Sequence, residues 1–241
     1  MTTITRTTAP PKADSLRRTA LVAGILYLIT FVASIPALPL YSDLVDDPRY
    51  ILGSGSNAAV LLGGLLEVIA ALTAIGTAVV LFPVVKRQSE WLALGFVTSR
   101  VIEGAYIVVG VIALLSVVTL RDNPIAGTDP AALITAQHSL VAIHDWTFLL
   151  GPGVMPGINA LLLGTLLYRS GLVPRIIPTI GLVGAPFFLI SAVALIFGAY
   201  DQLSLWSGIA TAPIFVWELS LGLWLTFKGF KSSPIAQGPN A

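Results

Sequence analysis

Six ionisable residues lie inside the most apolar stretches of this sequence, where a charge is costly. They are Glu67, Arg100, Glu103, His144, Asp145 and Glu218. An ionised side chain costs roughly 2.5–3.5 kcal/mol at the centre of a membrane-spanning helix, so such groups persist where they pair, face a bundle interior or line a wet cavity. These six residues are therefore the candidates for chemistry, although no individual catalytic role can be assigned to any of them from the sequence.

The spacing of these residues indicates how they interact. Arg100 and Glu103 are three residues apart and share one helix face, so we expect them to pair. Glu67 and Glu218 lie about nine and eleven residues into their apolar stretches, which at 1.5 Å per residue places both near mid-bilayer. Four apolar stretches thus carry ionisable groups to similar depth, and we expect at least some of them to converge.

Charge counting gives this cluster a chemical character. If all six converged, four carboxyls would face one arginine and one neutral histidine, a surplus of up to three negative charges. A low-dielectric interior does not tolerate that surplus, so some carboxyls must be protonated or a cation must be bound. The pattern therefore predicts a cavity that shares protons or binds a small solute or cation.

A helix-breaking motif follows the fourth stretch's ionisable pair. Gly151-Pro152-Gly153 comes one to two turns after His144 and Asp145, and Pro156 follows closely. Proline removes a backbone donor and clashes with the preceding turn, so the helix must kink or unwind. Irregular backbone at membrane depth survives where protein or a water-filled cavity surrounds it, as in the discontinuous helices of transporters. A plain proline kink fits the motif equally well.

Other interpretations of the same residues stay open. Arg100 and Glu103 would form a satisfied structural pair while Glu67 and Glu218 stay neutral, in a non-catalytic interaction or regulatory subunit. Alternatively, His144 and Asp145 would be the acid–base groups of an intramembrane enzyme that acts on a lipid-type substrate. Carboxylates and an imidazole would suit a divalent ion, but no HExxH-like spacing accompanies them, so we predict neither metal nor cofactor.

Composition identifies the class of protein that positions these residues. The chain has 241 residues, of which 56% are hydrophobic and 10% charged, and its mean hydropathy is +0.89. Soluble domains average about 25% charged residues, so this is a membrane protein whose first partner is the lipid bilayer. A net charge of +1 gives no indication of nucleic-acid binding, and no protein partner is indicated.

Six apolar stretches are long enough to cross the roughly 30 Å hydrocarbon core as helices. They cover residues 19–40, 58–83, 92–119, 133–168, 176–198 and 207–227. Because they are continuously apolar, without the alternation of a barrel, they predict helices. The predicted fold is all-α: a polytopic membrane protein with a bundle of six transmembrane helices, the fourth interrupted at Gly151-Pro152-Gly153. Residues 16–230 form the single domain, and residues 1–15 and 231–241 are predicted to be disordered cytoplasmic tails.

Loop charges predict the orientation of the bundle, because short cytoplasmic loops collect Lys and Arg. One set of loops and ends carries Arg17, Arg18, Lys86, Arg87, Arg169, Arg175, Lys228 and Lys231. The opposite loops are mostly acidic, with Asp43, Asp46, Asp47, Asp122, Asp129 and Asp201. Both termini are therefore predicted to be cytoplasmic.

Three segments resemble a known family. They are "RRTALVAGILYLITFVASIP", "SRVIEGAYIVVGVIALL" and "LYRSGLVPRIIPTIGLVGAP". The chain resembles, from about Arg17 to Lys228, an uncharacterised bacterial membrane family catalogued as domain-of-unknown-function family 4386. The resemblance implies a six-helix protein of the bacterial inner membrane and supplies no activity. The positions that match are Arg100, Glu103, Arg169, Ser170, Gly171, Pro174 and Arg175.

Overall fold

The computed structural model describes residues 13–53, 55–123 and 127–232, and these residues form helices and loops without any strand. The helices are α1 (Ala13–Leu40), α2 (Ser42–Asp46), α3 (Ala58–Val85), α4 (Glu90–Asp122), α5 (Pro130–Leu150), α6 (Met155–Ser170), α7 (Ile176–Ile196) and α8 (Leu205–Phe227), with a 3-10 turn at Tyr50–Leu52.

Six helical segments are long and apolar enough to cross a membrane, which confirms the predicted fold class. The two longest of them are much longer than a crossing requires. The fourth span, α5 with α6, covers the 41 residues Pro130–Ser170, and α4 has 33 residues. About 20 residues suffice to cross the hydrocarbon core, so α4 and α5 extend beyond it. Their extensions pack with α2 and the 3-10 turn at one end of the bundle, which we call the outer end.

The spans form a closed ring. Helix α1 packs on α3, α3 on α4, α4 on both α5 and α6, α6 on α7, α7 on α8, and α8 on α1. Small residues allow the closest approaches, as is usual in lipid. At the α1–α8 seam, a Cβ on Gly24 would lie 2.5 Å from the backbone nitrogen of Thr226, so only glycine fits there.

The interruption of the fourth span divides the ring into two halves. Helix α6 packs along α7 and closes the half of the ring that is farther from the outer end, which we call the inner half. Helix α5 packs on α4 and on the 3-10 turn but makes few contacts with α7. The outer half is therefore open between α5 and the α7–α8 pair, and the two larger cavities described below are found in this gap.

The predicted disordered tails lie mainly outside the described residues. Residues 13–15, which we assigned to the N-terminal tail, form the first turn of α1 instead. Contacts made just after this turn explain the difference: Leu16 packs against the core, and Arg17 donates to the carbonyl oxygens of Leu225 and Thr226. The start of α1 is thus held against the end of α8.

Candidate functional site

A buried ion triad joins α4 to α8. Arg100 Nη1 lies 3.0 Å from Glu103 Oε2, as the three-residue spacing predicts, and Arg100 Nη2 donates to Glu218 Oε1. Arg100 and Glu103 are almost completely buried, whereas the Glu218 side chain is 14% exposed. We call Arg100, Glu103 and Glu218 the ion triad. Three of the six candidate residues therefore converge.

Two uncharged residues add hydrogen bonds to the ion triad, and the sequence analysis did not single them out. Asn159 Nδ2 on α6 donates to Glu103 Oε2 at 2.7 Å, and Arg100 Nη2 donates to the hydroxyl of Tyr27 on α1 at 3.4 Å. Both residues are buried. A signal for Asn159 was present, because an amide in the apolar run "GINALLLGTLL" needs a hydrogen-bonding partner inside the membrane.

The charges of the ion triad do not balance. One guanidinium faces two carboxylates, so the group carries a net negative charge when both carboxyls are ionised. Arg100 Nε and Asn159 Oδ1 are also buried without a hydrogen-bond partner among the described residues. Because an uncompensated charge is expensive in a low-dielectric interior, a proton or a cationic group must offset the excess.

A cavity of about 160 Å³ borders the ion triad, and we call it the central cavity. Pro152 of the helix break and Pro156 at the start of α6 form part of its wall. Polar lining comes from the hydroxyl side chains of Tyr27, Thr30, Ser34 and Thr77. The interruption of the fourth span and the ion triad therefore border the same cavity.

The interruption itself has a defined backbone geometry, which confirms the predicted break. The Gly153 nitrogen donates five residues back to Phe148 oxygen at 2.9 Å, and Val154 nitrogen then donates three residues back to Gly151 oxygen at 3.1 Å. A wide turn, closed five residues back, followed by a tight turn, closed three residues back, interrupts the helix but keeps some of its backbone hydrogen bonds. Pro156, which we assigned to the break, instead lies in the first turn of α6, where no intrahelical donor is needed.

The remaining candidates form a second group near the outer end. The Tyr41 hydroxyl donates to Glu67 Oε2 at 3.3 Å, and the Tyr41 ring packs edge-on against His144 with centroids 5.8 Å apart. His144 Nδ1 lies 3.3 Å from Asp145 Oδ1. We call Tyr41, Glu67, His144 and Asp145 the outer group. The six candidates are thus split between two sites.

His144 and Asp145 lie closer to the bundle's end than their predicted midplane position. The backbone oxygen of Asp145 accepts a hydrogen bond at 3.2 Å from Gln202 Nε2, which belongs to the loop between α7 and α8. The pair is therefore level with the ends of those spans. The reason for the difference is that α5 begins at Pro130, beyond the apolar run, so the centre of the fourth span falls at the break.

Two further pockets lie between the outer end and the central cavity. The first, which we call the outer pocket, has a volume of about 520 Å³ and lies between the end of α1, α5 and the α7–α8 loop. The second, the connecting pocket, has about 330 Å³ and shares Leu38, Phe148, Gln202 and Leu203 with the outer pocket. It also shares Pro152 with the central cavity. The three cavities therefore lie next to one another between the outer end and the ion triad.

The divalent-ion alternative requires Glu67 beside Glu103 and Glu218. Glu67 belongs to the outer group, whereas the other two carboxylates flank Arg100. Over the described part of the chain, no three His, Cys, Asp or Glu side chains lie close enough together to hold a metal ion. The geometry therefore gives that alternative no support.

Comparisons with known proteins identify a family but no activity. Searches of curated proteins and of solved structures each gave no match. A family model described as a domain of unknown function, DUF4386, matches residues 22–229. Because this match spans most of the chain and all six apolar helices, the protein belongs to the DUF4386 family.

Proposed function

We propose that this protein binds or transports a small solute in a process linked to proton movement, with the ion triad as the proton-carrying group. The observation that carries the proposal is the position of the ion triad, whose charges are unequal. It borders a cavity beside a helix break, and two neighbouring cavities lie between that cavity and the outer end. Ionisable groups inside a membrane that face a cavity are typical of solute and proton pathways.

Each part of the site contributes a step to this mechanism. Arg100 provides a permanent positive charge that keeps one carboxylate ionised at all times. The second carboxyl, with Glu218 the more exposed of the two, takes up or releases a proton as the charge in the central cavity changes. The break supplies backbone that rearranges locally, because its wide and tight turns are already outside regular helix geometry.

Proteoliposomes that enclose a pH-sensitive dye provide the test. Wild-type protein should change the internal pH when one class of cationic, anionic or neutral solute is added outside, and Glu218→Gln should abolish that change. Glu90→Gln is the matched control, since Glu90 is an exposed carboxylate at the start of α4. If wild type, Glu218→Gln and empty liposomes respond alike to every solute, the proposal fails.

An intramembrane enzyme is the second candidate, because His144 and Asp145 line the outer pocket. Its weakness is the histidine's orientation. Nδ1 is engaged by Asp145, and Nε2 is buried with no exposed surface, so neither nitrogen faces the pocket freely. Turnover of a lipid-type substrate that is lost in His144→Ala, with the fold intact, would favour this candidate.

For the location, we propose the inner membrane of a bacterium with both termini in the cytoplasm. The supporting observations are the six apolar helices and the distribution of loop charges. In this orientation the outer pocket opens toward the non-cytoplasmic side.

A further inference from the structure

The outer pocket has a strongly one-sided charge. Asp46, Asp145 and Asp201 line it, and they come from three different segments: α2, α5 and the α7–α8 loop. No Lys or Arg is present among the described residues of its wall. A concave surface lined by one sign of charge concentrates ions of the opposite sign, so this pocket attracts cations.

The remaining wall is apolar and aromatic. Leu38, Pro39, Phe148 and Leu203 supply apolar surface, and Tyr41 adds a second aromatic ring. Aromatic faces attract cations, most strongly where water is excluded. His144 also lines the pocket, although it is only 7% exposed and its Nε2 has no hydrogen-bond partner. A wall of this composition suits a ligand that is both positively charged and apolar.

We propose that the outer pocket is the binding site for a monovalent organic cation with an apolar or aromatic part. An organic cation is then the substrate class of the proposed function. The cation's onward passage rests on that proposed function, whereas its binding in the outer pocket does not. The pocket has the size for this ligand: about 520 Å³ falls within the range of roughly 300–1,000 Å³ that is usual for organic ligands.

The central cavity is too small for the same occupant. At about 160 Å³ it lies below the size of ordinary ligand pockets, while the connecting pocket, at about 330 Å³, is at the lower limit. The cation therefore rests in the outer pocket in this conformation, and the ion triad holds protons. Passage further inward requires the break or a neighbouring helix to move.

Titration calorimetry on the full-length protein in nanodiscs of zwitterionic lipid tests the inference. The probe is benzyltrimethylammonium, whose charge does not titrate, and benzenesulfonate is the anionic probe of similar size. We expect the cation to bind and the anion not to bind. The double variant Asp145→Asn/Asp201→Asn should weaken cation binding by about fivefold or more, because it removes two Coulomb attractions.

Asp43→Asn is the matched control, because Asp43 is exposed on α2 and does not line the pocket. It should leave the affinity unchanged. Equal binding of both probes, no binding of either, or equal loss in the control and the double variant would each overturn the inference. Cation binding with the expected variant pattern but without solute-linked proton movement in liposomes would uphold this site and reject the proposed function.

Discussion

At the scale of residues, the charge compensation within the ion triad depends on Arg100. The guanidinium contacts both carboxylates and the Tyr27 hydroxyl, and it is 2% exposed. Removing one member of a buried ionic group leaves uncompensated charge, which costs more than removing the whole group. The arrangement of charges therefore makes Arg100 the most sensitive single position in the bundle.

Arg100→Leu should lower the free energy of unfolding by about 3–5 kcal/mol, because Glu103 and Glu218 are left buried without their partner. The triple variant Arg100→Leu/Glu103→Gln/Glu218→Gln should recover most of this loss, since the charges are removed together. Thermal unfolding in detergent measures both effects. Arg18→Leu, at an exposed arginine on α1, is the control and should have little effect. A triple variant as unstable as Arg100→Leu would contradict the charge explanation.

Sequence reasoning found part of this site and missed the rest for identifiable reasons. The Arg100–Glu103 pair followed from helix periodicity, a local property. The contact with Glu218, 118 residues away, depends on which helices are neighbours in the ring. Asn159 and Tyr27 carry no charge and so did not stand out from their apolar surroundings. Charge in an apolar stretch is therefore a reliable local signal, but it does not reveal the uncharged partners.

Asn57 directly precedes α3, a position where an asparagine side chain often caps the helix. Here the Asn57 side chain makes no cap. Its Oδ1 instead accepts from the Tyr50 hydroxyl at 2.7 Å and from Arg121 Nη1. Burial raises the pKa of Tyr50, while the Arg121 guanidinium, 4.1 Å from its ring centroid, opposes that rise. Tyr50 therefore stays a neutral donor to Asn57, while Arg121 of α4 packs over its ring.

At the scale of elements, the break in the fourth span is determined by close packing as well as by Pro152. A Cβ on Gly151 would lie 2.6 Å from Tyr106 Cβ, and a Cβ on Gly153 would lie 2.4 Å from Leu149 oxygen. The second contact is with backbone, which cannot move aside as a side chain can. The two glycines thus allow α5 to change direction against α4.

Gly153→Ala should destabilise the protein by about 1–3 kcal/mol, the usual cost of forcing an extra carbon into a packed interior. Gly95→Ala is the matched control, since its new Cβ would meet Leu162 Cδ2 at 3.4 Å, an ordinary contact. The control should be neutral or slightly stabilised, because alanine favours helix by up to about 1 kcal/mol over glycine. Unfolding midpoints of the two variants provide the comparison, and equal midpoints would mean that the backbone contact is not limiting.

At the scale of the whole molecule, the predictable and unpredictable features have different physical origins. Six spans follow from hydrophobic length alone, because a bilayer of fixed thickness sets that length. The ring order and the open outer half depend on which faces of α5 and α6 meet their neighbours. The apolar pattern of a membrane helix is nearly uniform around its circumference, so it does not indicate those faces. The sequence therefore predicted a cavity beside the ionisable residues, but not the number, size or walls of the cavities that this packing produces.

The orientation of the whole bundle rests on where the basic residues collect. The Arg17 side chain donates to carbonyl oxygens at the end of α8, and the backbone nitrogen of Lys231 donates to the backbone oxygen of Leu172 at 2.7 Å. These contacts bring both ends of the described chain and the α6–α7 loop together at one end of the bundle. That end carries most of the Lys and Arg, as cytoplasmic ends do.

Single cysteines test this orientation cleanly, because the chain contains no cysteine of its own. Asp43→Cys lies at the outer end and Lys86→Cys in the α3–α4 loop at the opposite end, and both positions are exposed. In intact spheroplasts, a membrane-impermeant maleimide should label Asp43→Cys at once and Lys86→Cys only after permeabilisation. The reverse pattern would place the outer pocket on the cytoplasmic side, so that its cation would be collected from inside the cell.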